Sequence, residues 1–324
     1  MLITPEDPIL LHVDLRRDLL AQGYTDKSLA AGRRSGLFAQ PRRGAYVPGD
    51  VWRSLSDDQR YAVRCRTALM QARADSVLSH ASALPFLAAP LWGQDLTAVH
   101  LTRADGRTGR HERGIRQHSG VIADGDLMEE NGLRFVGATR AALEVAGVCS
   151  VEAALVVLND LLHRGLTTTE DLWKRYRAGM GRWPNSLATN VVLRLVNPLV
   201  ESVGESRTDY LMWKQGLPRG IPQYEVRDSD GTLVGKLDFA LPEYGIWIEF
   251  DGLVKYERYL RPGESATDVV VREKRREDRI REITGWLCLR VVWADLANPL
   301  RLAARIRAMI EAAAVARRGG RVRA

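Results

Sequence analysis

The chain has 324 residues, 45% of them hydrophobic, and its 47 Lys and Arg outweigh 40 Asp and Glu to give a formal net charge of +7. That length and apolar content predict two or three packed domains, while the basic balance favours a polyanionic partner. No apolar run reaches membrane-spanning length, residues 1–11 lack a secretory pattern, and Cys65, Cys149 and Cys288 stand singly, so a cytoplasmic protein without a disulfide framework is expected.

Residues 14–47 read as a winged helix-turn-helix within a domain of residues 1–60. Asp14 is expected to cap a helix running to Gln22 with Leu15, Leu19 and Leu20 inward, and Thr25 to cap a second helix with Leu29 and Ala30 inward. Lys27, Arg33 and Arg34 lie on the outer face of that second helix, and Arg42 and Arg43 at the tip of the hairpin that follows. These five side chains are the expected nucleic-acid contacts, since a helix presenting basic residues beside a basic hairpin suits the major groove and its flanking phosphates. An ordinary helical hairpin with a solvated basic face fits the same spacing.

Residues 61–184 form a predicted α/β middle domain and linker. A helix through Leu69 leads to the turn Ser79-His80-Ala81-Ser82, strands cover 98–102 and 113–118, and helices begin at Thr139 and Ser150. Nothing in the spacing of His80, His100 and His118 marks a metal trio, so each reads as a residue satisfying a local hydrogen bond. All six histidines lie at or before His163, which leaves none for chemistry in the C-terminal half. The glycine- and proline-bearing stretch 179–184 reads as the linker.

From residue 185 to 324 the pattern is helix, three strands, helix, strand, helix. Glu205 falls on the polar side of a helix over 201–215, and Asp295 is expected to cap a last helix over 299–315. Alternation in GKLDFALPEYGIWIEFDG sets Asp238 on one strand beside Glu249 and Asp251 on the next. Carboxylates brought that close repel one another and are tolerated when a cation lies between them, which suggests Mg²⁺ or Mn²⁺; the solvent face of an amphipathic hairpin is the other reading. The basic run 272–281 fits either a salt-bridged solvated helix or a phosphate clamp.

The stretch GYTDKSLAAGRRSGLFAQPRRGAYV, followed in order by VLSHASALPFL, AVHLTR, FVGATRAALEVAG and LLHRGLTTTEDL, resembles the AbiEi family of type IV antitoxins of actinobacteria over residues 16–172. That resemblance implies a DNA-binding winged helix, an α/β second domain and a toxin or other regulatory protein as partner. The ordered set GESRTDYLMWKQGLP, GKLDFA, IWIEFDG and REKRREDRIREITGWLCLRVVWADL resembles a PD-(D/E)xK endonuclease-like domain related to very-short-patch-repair enzymes. It implies a mixed sheet flanked by helices, with Asp238 and Glu249 as motif carboxylates and Glu205 as an auxiliary metal ligand. Asp251 stands where that pattern has its lysine, so Lys255 or Lys274, with Lys236 a third candidate, would have to orient the attacking water. The expected whole is an α/β and α+β multidomain, DNA-binding protein with a metal-dependent endonuclease-like C-terminal domain; the alternative is a non-enzymatic antitoxin-type regulator on a degenerate nuclease scaffold.

Overall fold

The computed structural model describes residues 3–4, 6–72, 75–105, 111–112, 114–252 and 265–321. The chain divides into two units, Met1–Arg194 and Leu195–Ala324, so residues 1–60 and 61–184 lie together in the first. That unit begins with strand β1 (Asp14–Leu15), helices α1 (Arg16–Ala21) and α2 (Asp26–Arg34), and a hairpin of β2 (Phe38–Arg42) and β3 (Ala45–Pro48), in sheet order β1-β3-β2. Thr25 starts α2 as its sequence suggests: its Oγ1 accepts from the Ser28 N–H and its own N–H donates to Ser28 Oγ. Leu19 and Leu29 then meet over Tyr46, with the Phe38 ring edge-on to Tyr46 at 6.1 Å. Asp14 departs from expectation. It pairs with Tyr46 across the sheet, and Leu15 stands at the start of α1 without a capping side chain. Arg16 on α1 instead clasps Asp26 on α2 through two bonds of 2.8 and 2.7 Å.

Helices α3 (Gly49–Ser54) and α4 (Asp57–Gln71) lead to a six-stranded mixed sheet. Its strands are β4 (Ser76–Leu78), β5 (Val99–Arg103), β6 (His111–Glu112), β7 (Ile115–Ser119), β8 (Leu127–Glu130) and β9 (Leu133–Val136), in the order β6-β7-β5-β4-β9-β8. Helices α5 (Ala138–Ala146), α6 (Val151–His163), α7 (Thr169–Arg177) and α8 (Ser186–Leu195) follow. Sequence periodicity anticipates α5 and α6, the latter capped by Ser150, but not β4, β8 and β9, which are too short to alternate clearly.

The second unit runs α9 (Val203–Lys214), β10 (Ile221–Arg227), β11 (Leu233–Leu241), β12 (Ile246–Phe250), α10 (Ala266–Thr284), β13 (Leu287–Val291), α11 (Trp293–Leu296) and α12 (Pro299–Arg321). The sheet order is β10-β11-β12-β13, antiparallel until the β12–β13 pair, which is parallel as a crossover through α10 requires. Both faces of this sheet are covered. Phe239, Leu241, Ile246, Ile248 and Phe250 join Leu211 and Met212 of α9 and Leu302 and Ile306 of α12, while Ala240 and Trp247 pack with Ile280 of α10. Two helix starts differ from expectation. Asp295 accepts from the Val292 N–H and so caps α11 rather than α12, and Glu205 is buried inside the first turn of α9 rather than facing solvent. The two units make an α+β, multidomain architecture, and among the described residues no helix is long and apolar enough to cross a membrane.

Gly204 marks the tightest approach in the second unit: a Cβ there would lie 2.1 Å from Phe250 Cε1. The Phe250 ring is 4% exposed and held edge-on against Trp293 at 4.8 Å, so it has little room to withdraw. Gly204→Ala is expected to cost about 1–3 kcal/mol through overpacking, read as a lower urea midpoint. An unchanged midpoint would mean the helix and strand slide apart freely.

Candidate functional site

The expected basic surface in the first unit is only partly free. Lys27, Arg33 and Arg34 are exposed on α2, and Arg43 is exposed in the two-residue turn between β2 and β3. Arg42 is half-buried, and its Nε donates to Gln71 Oε1 on α4 at 3.2 Å, so it serves the packing of the hairpin. The Gln71 amide closes the arrangement by donating to the Arg43 carbonyl at 2.9 Å. Gly44 permits the tight turn with φ at 79°, a left-handed value that side chains resist.

In the second unit the acids are neighbours with separate engagements. Asp238 Oδ2 accepts from the Phe250 N–H at 2.7 Å, at the end of the β11–β12 ladder. Glu249 lies on the sheet face that α10 covers, and Arg276 of α10 reaches it with bonds of 3.1 and 3.3 Å. Burial raises the Glu249 pKa; Arg276 opposes the rise and the Asp238 charge adds to it. Asp251 follows β12 and lies 3.4 Å from Arg290 of β13, which also pairs with Glu277. Among the described residues, guanidinium groups are thus the cations against Glu249 and Asp251. Glu205 accepts from Ser202 Oγ at 2.7 Å and the Glu201 N–H at 3.1 Å, a capping arrangement that uses both its oxygens. Among the described residues, Glu205, Asp238 and Glu249 do not close to common ligating distance. Lys274 is exposed on α10, Lys236 lies 3.7 Å from Glu225, and Lys255 lies outside the described residues.

Sequence spacing passed over the densest cluster, which is in the first unit. The parallel pair β5–β7 sets His100 opposite Arg116 and Thr102 opposite His118, so the two histidines share one sheet face. His80 follows β4 with φ at 51°, a strained value for a residue with a side chain. Its backbone N–H donates to Glu144 Oε2 on α5 at 2.9 Å, which holds the imidazole over the other two. The His80 and His118 rings stack with centroids 3.8 Å apart, and His100 Nδ1 lies 3.0 Å from His118 Nε2. One ring nitrogen from each of the three falls within 4.8 Å of the others.

Beneath them runs a buried ion chain. Arg140, 1% exposed, donates to Glu144 Oε1 at 2.8 Å and to Asp126 Oδ2 at 2.8 Å, and Arg175 grips Asp126 from α7 at 2.8 and 2.7 Å. A cleft of about 480 Å³ opens over the cluster, lined by His80, His118, Gln117, Arg140, Trp183 and Asn185 among others. Burial, reinforced by neighbouring cationic groups, lowers all three histidine pKa values: His80 well below the usual range, His100 to about 4 and His118 to about 3. The imidazoles are neutral at neutral pH, and burial raises the Glu144 carboxyl against the pull of Arg140.

A pH effect on stability follows from those directions. Unfolded histidines take up protons near pH 6.5, whereas the folded ones resist until about 4 or 3, so the unfolded chain binds more protons in between. Stability is full above pH 6.5 and falls as pH drops toward 4; the carboxyls of Glu144, Asp160 and Glu249, raised by burial, act in the opposite sense, and within the cluster Glu144 is one group against three. Urea midpoints measured at pH 7 and pH 5 with chelator present are expected to fall at the lower pH, and His118→Gln is expected to flatten the change.

No family model matches the chain, and no curated protein matches it. Among solved structures it is similar to the crystal structure of the Rv2827c protein from Mycobacterium tuberculosis, with 19% identity, a TM-score of 0.37, and coverage of 56% of this chain and 71% of that one.

Proposed function

We propose that this protein binds double-stranded DNA through residues 14–48 and acts as an antitoxin-type regulator. The observation that carries the reading is the order β1-α1-α2-β2-β3, whose second helix leaves Lys27, Arg33 and Arg34 exposed while Arg43 stands exposed in the hairpin turn. In this reading α2 enters the major groove and the four cations contact phosphates on either side. The formal net charge of +7 acts in the same direction. A toxin or other regulatory protein is the partner that the AbiEi-like sequence suggests.

The second unit is, in this proposal, a nuclease-like scaffold without hydrolytic activity. Asp251 occupies the lysine position of the PD-(D/E)xK pattern, and Arg276 and Arg290 stand against Glu249 and Asp251 where a metal ion would compete for the same charge. A Mg²⁺- or Mn²⁺-dependent endonuclease is the second reading, favoured by the adjacency of Asp238 and Glu249 on neighbouring strands.

Binding of the full chain to a short duplex, titrated at several salt concentrations, tests the first reading; no salt-dependent affinity would end it. Incubation of single- and double-stranded DNA with either metal separates the two readings. Cleavage abolished by Asp238→Asn establishes the enzyme, and intact DNA with wild-type protein leaves the regulator.

A further inference from the structure

The cluster of His80, His100 and His118 is a set of donors with no assigned task, and neither DNA binding nor the C-terminal acids uses it. Three of its features point to a ligand. The first is distance: nitrogens each about 2.0–2.1 Å from one tetrahedral ion lie roughly 3.3 Å apart, and the His100–His118 pair already stands at 3.0 Å. The third imidazole brings a nitrogen within 4.8 Å of both, and closing the set on one ion requires the His80 ring to turn out of its stack on His118.

The second is an unmet polar atom. His100 is 3% exposed, and without a cation its contact with His118 needs one ring to donate and the other to accept. His100 Nε2 is then buried with no hydrogen-bond partner, and Thr102 Oγ1 beside it has none either. A buried polar atom left unmet costs about 1–3 kcal/mol, and a fold that keeps such groups buried at this cost points to a task for them other than packing.

The third is the support behind the rings. His80 Nδ1 lies 3.1 Å from Ser79 Oγ and 3.4 Å from Glu144 Oε2, which leaves Nε2 as its free donor atom. A carboxylate behind a ligating histidine fixes the ring and raises its basicity, and Glu144 is itself fixed by Arg140.

We propose that His80, His100 and His118 bind one divalent transition-metal ion, Zn²⁺ by preference. Neutral nitrogen donors without thiolate suit Zn²⁺, Co²⁺, Ni²⁺ or Cu²⁺ and disfavour Mg²⁺. Three protein ligands leave a fourth position, directed to the cleft, for water or an oxygen-donor ligand. Glu144 is a positioning residue in this site.

The test uses the full chain, free of any affinity tag, stripped with chelator and titrated with Zn²⁺ by calorimetry. One ion per chain is expected, together with a rise in Tm that 1 mM Mg²⁺ does not reproduce. His118→Asn, at the cleft edge, is expected to lose more than about 100-fold in Zn²⁺ affinity, and Glu144→Gln about 10–100-fold while keeping one ion per chain. A variant carrying both His12→Gln and His163→Gln, outside the cluster, is expected to bind as wild type. Circular dichroism confirms that each variant is folded; should His118→Asn unfold, the visible spectrum of the Co²⁺-loaded wild type decides in its place, nitrogen-ligated tetrahedral bands supporting the site and an octahedral aqua-like spectrum overturning it. Wild-type protein that binds less than one Zn²⁺, or a folded His118→Asn that binds as tightly as wild type, would overturn the proposal.

Discussion

Arg140→Ala destabilises the first unit by about 3–5 kcal/mol, the expected consequence of removing one member of a buried ion chain. Asp126 and Glu144 are both almost fully buried, and Arg140 is the guanidinium they share. Its removal leaves Asp126 with Arg175 and the Ala123 N–H, and Glu144 with the His80 N–H as its remaining strong donor. The Trp183 ring also loses the cation that lies 5.7 Å from its centre. A double variant, Arg140→Met with Glu144→Gln, removes one cation and one anion and leaves Asp126 paired with Arg175, so it is expected to recover much of the loss, because the penalty comes from uncompensated charge. Urea denaturation of both proteins measures this, and equal losses would show that packing rather than charge dominates.

Replacing Lys27, Arg33, Arg34 and Arg43 with Ala together is expected to lower the slope of log affinity against log salt for DNA binding by about 3–4, close to 0.9 for each phosphate contact. Four such contacts make binding roughly 100-fold weaker between 50 and 200 mM salt, and the variant should lose that sensitivity. Arg42→Ala serves as the contrast. Its guanidinium is engaged with Gln71, so the substitution should lower stability while leaving the slope nearly unchanged. A quadruple variant with the wild-type slope would remove the winged-helix interface from consideration.

The parts of this molecule legible in the sequence are those governed by neighbours along the chain. Thr25 and Ser28 announce a helix start three residues apart, and the alternation through Ile246, Ile248 and Phe250 announces a strand. Asp14 departs from its capping propensity because pairing with Tyr46, thirty-two residues on, outweighs it. Alternation sets Asp238 and Glu249 on the strands where they stand, but Asp251 falls just past the end of β12, and the counter-charge to Glu249 comes from Arg276 on a helix that folds back over the sheet. The histidines show the same limit in sharper form. Alternation in AVHLTR and IRQHS sets His100 with Thr102 and Arg116 with His118, but their meeting depends on β5 pairing parallel to β7, a matter of topology rather than local pattern.

For the proposed DNA contact, the hairpin between β2 and β3 has a thermodynamic consequence. Its two-residue turn is pinned from one side by Gln71 and from the other by the Arg16 N–H, which donates to the Gly44 carbonyl at 2.8 Å. A long wing orders itself on the duplex and gives a large negative heat-capacity change on association; this one is already set. Calorimetry across temperature should therefore report a small heat-capacity change, and amides of Arg43 and Gly44 should exchange with deuterium at similar rates with and without DNA.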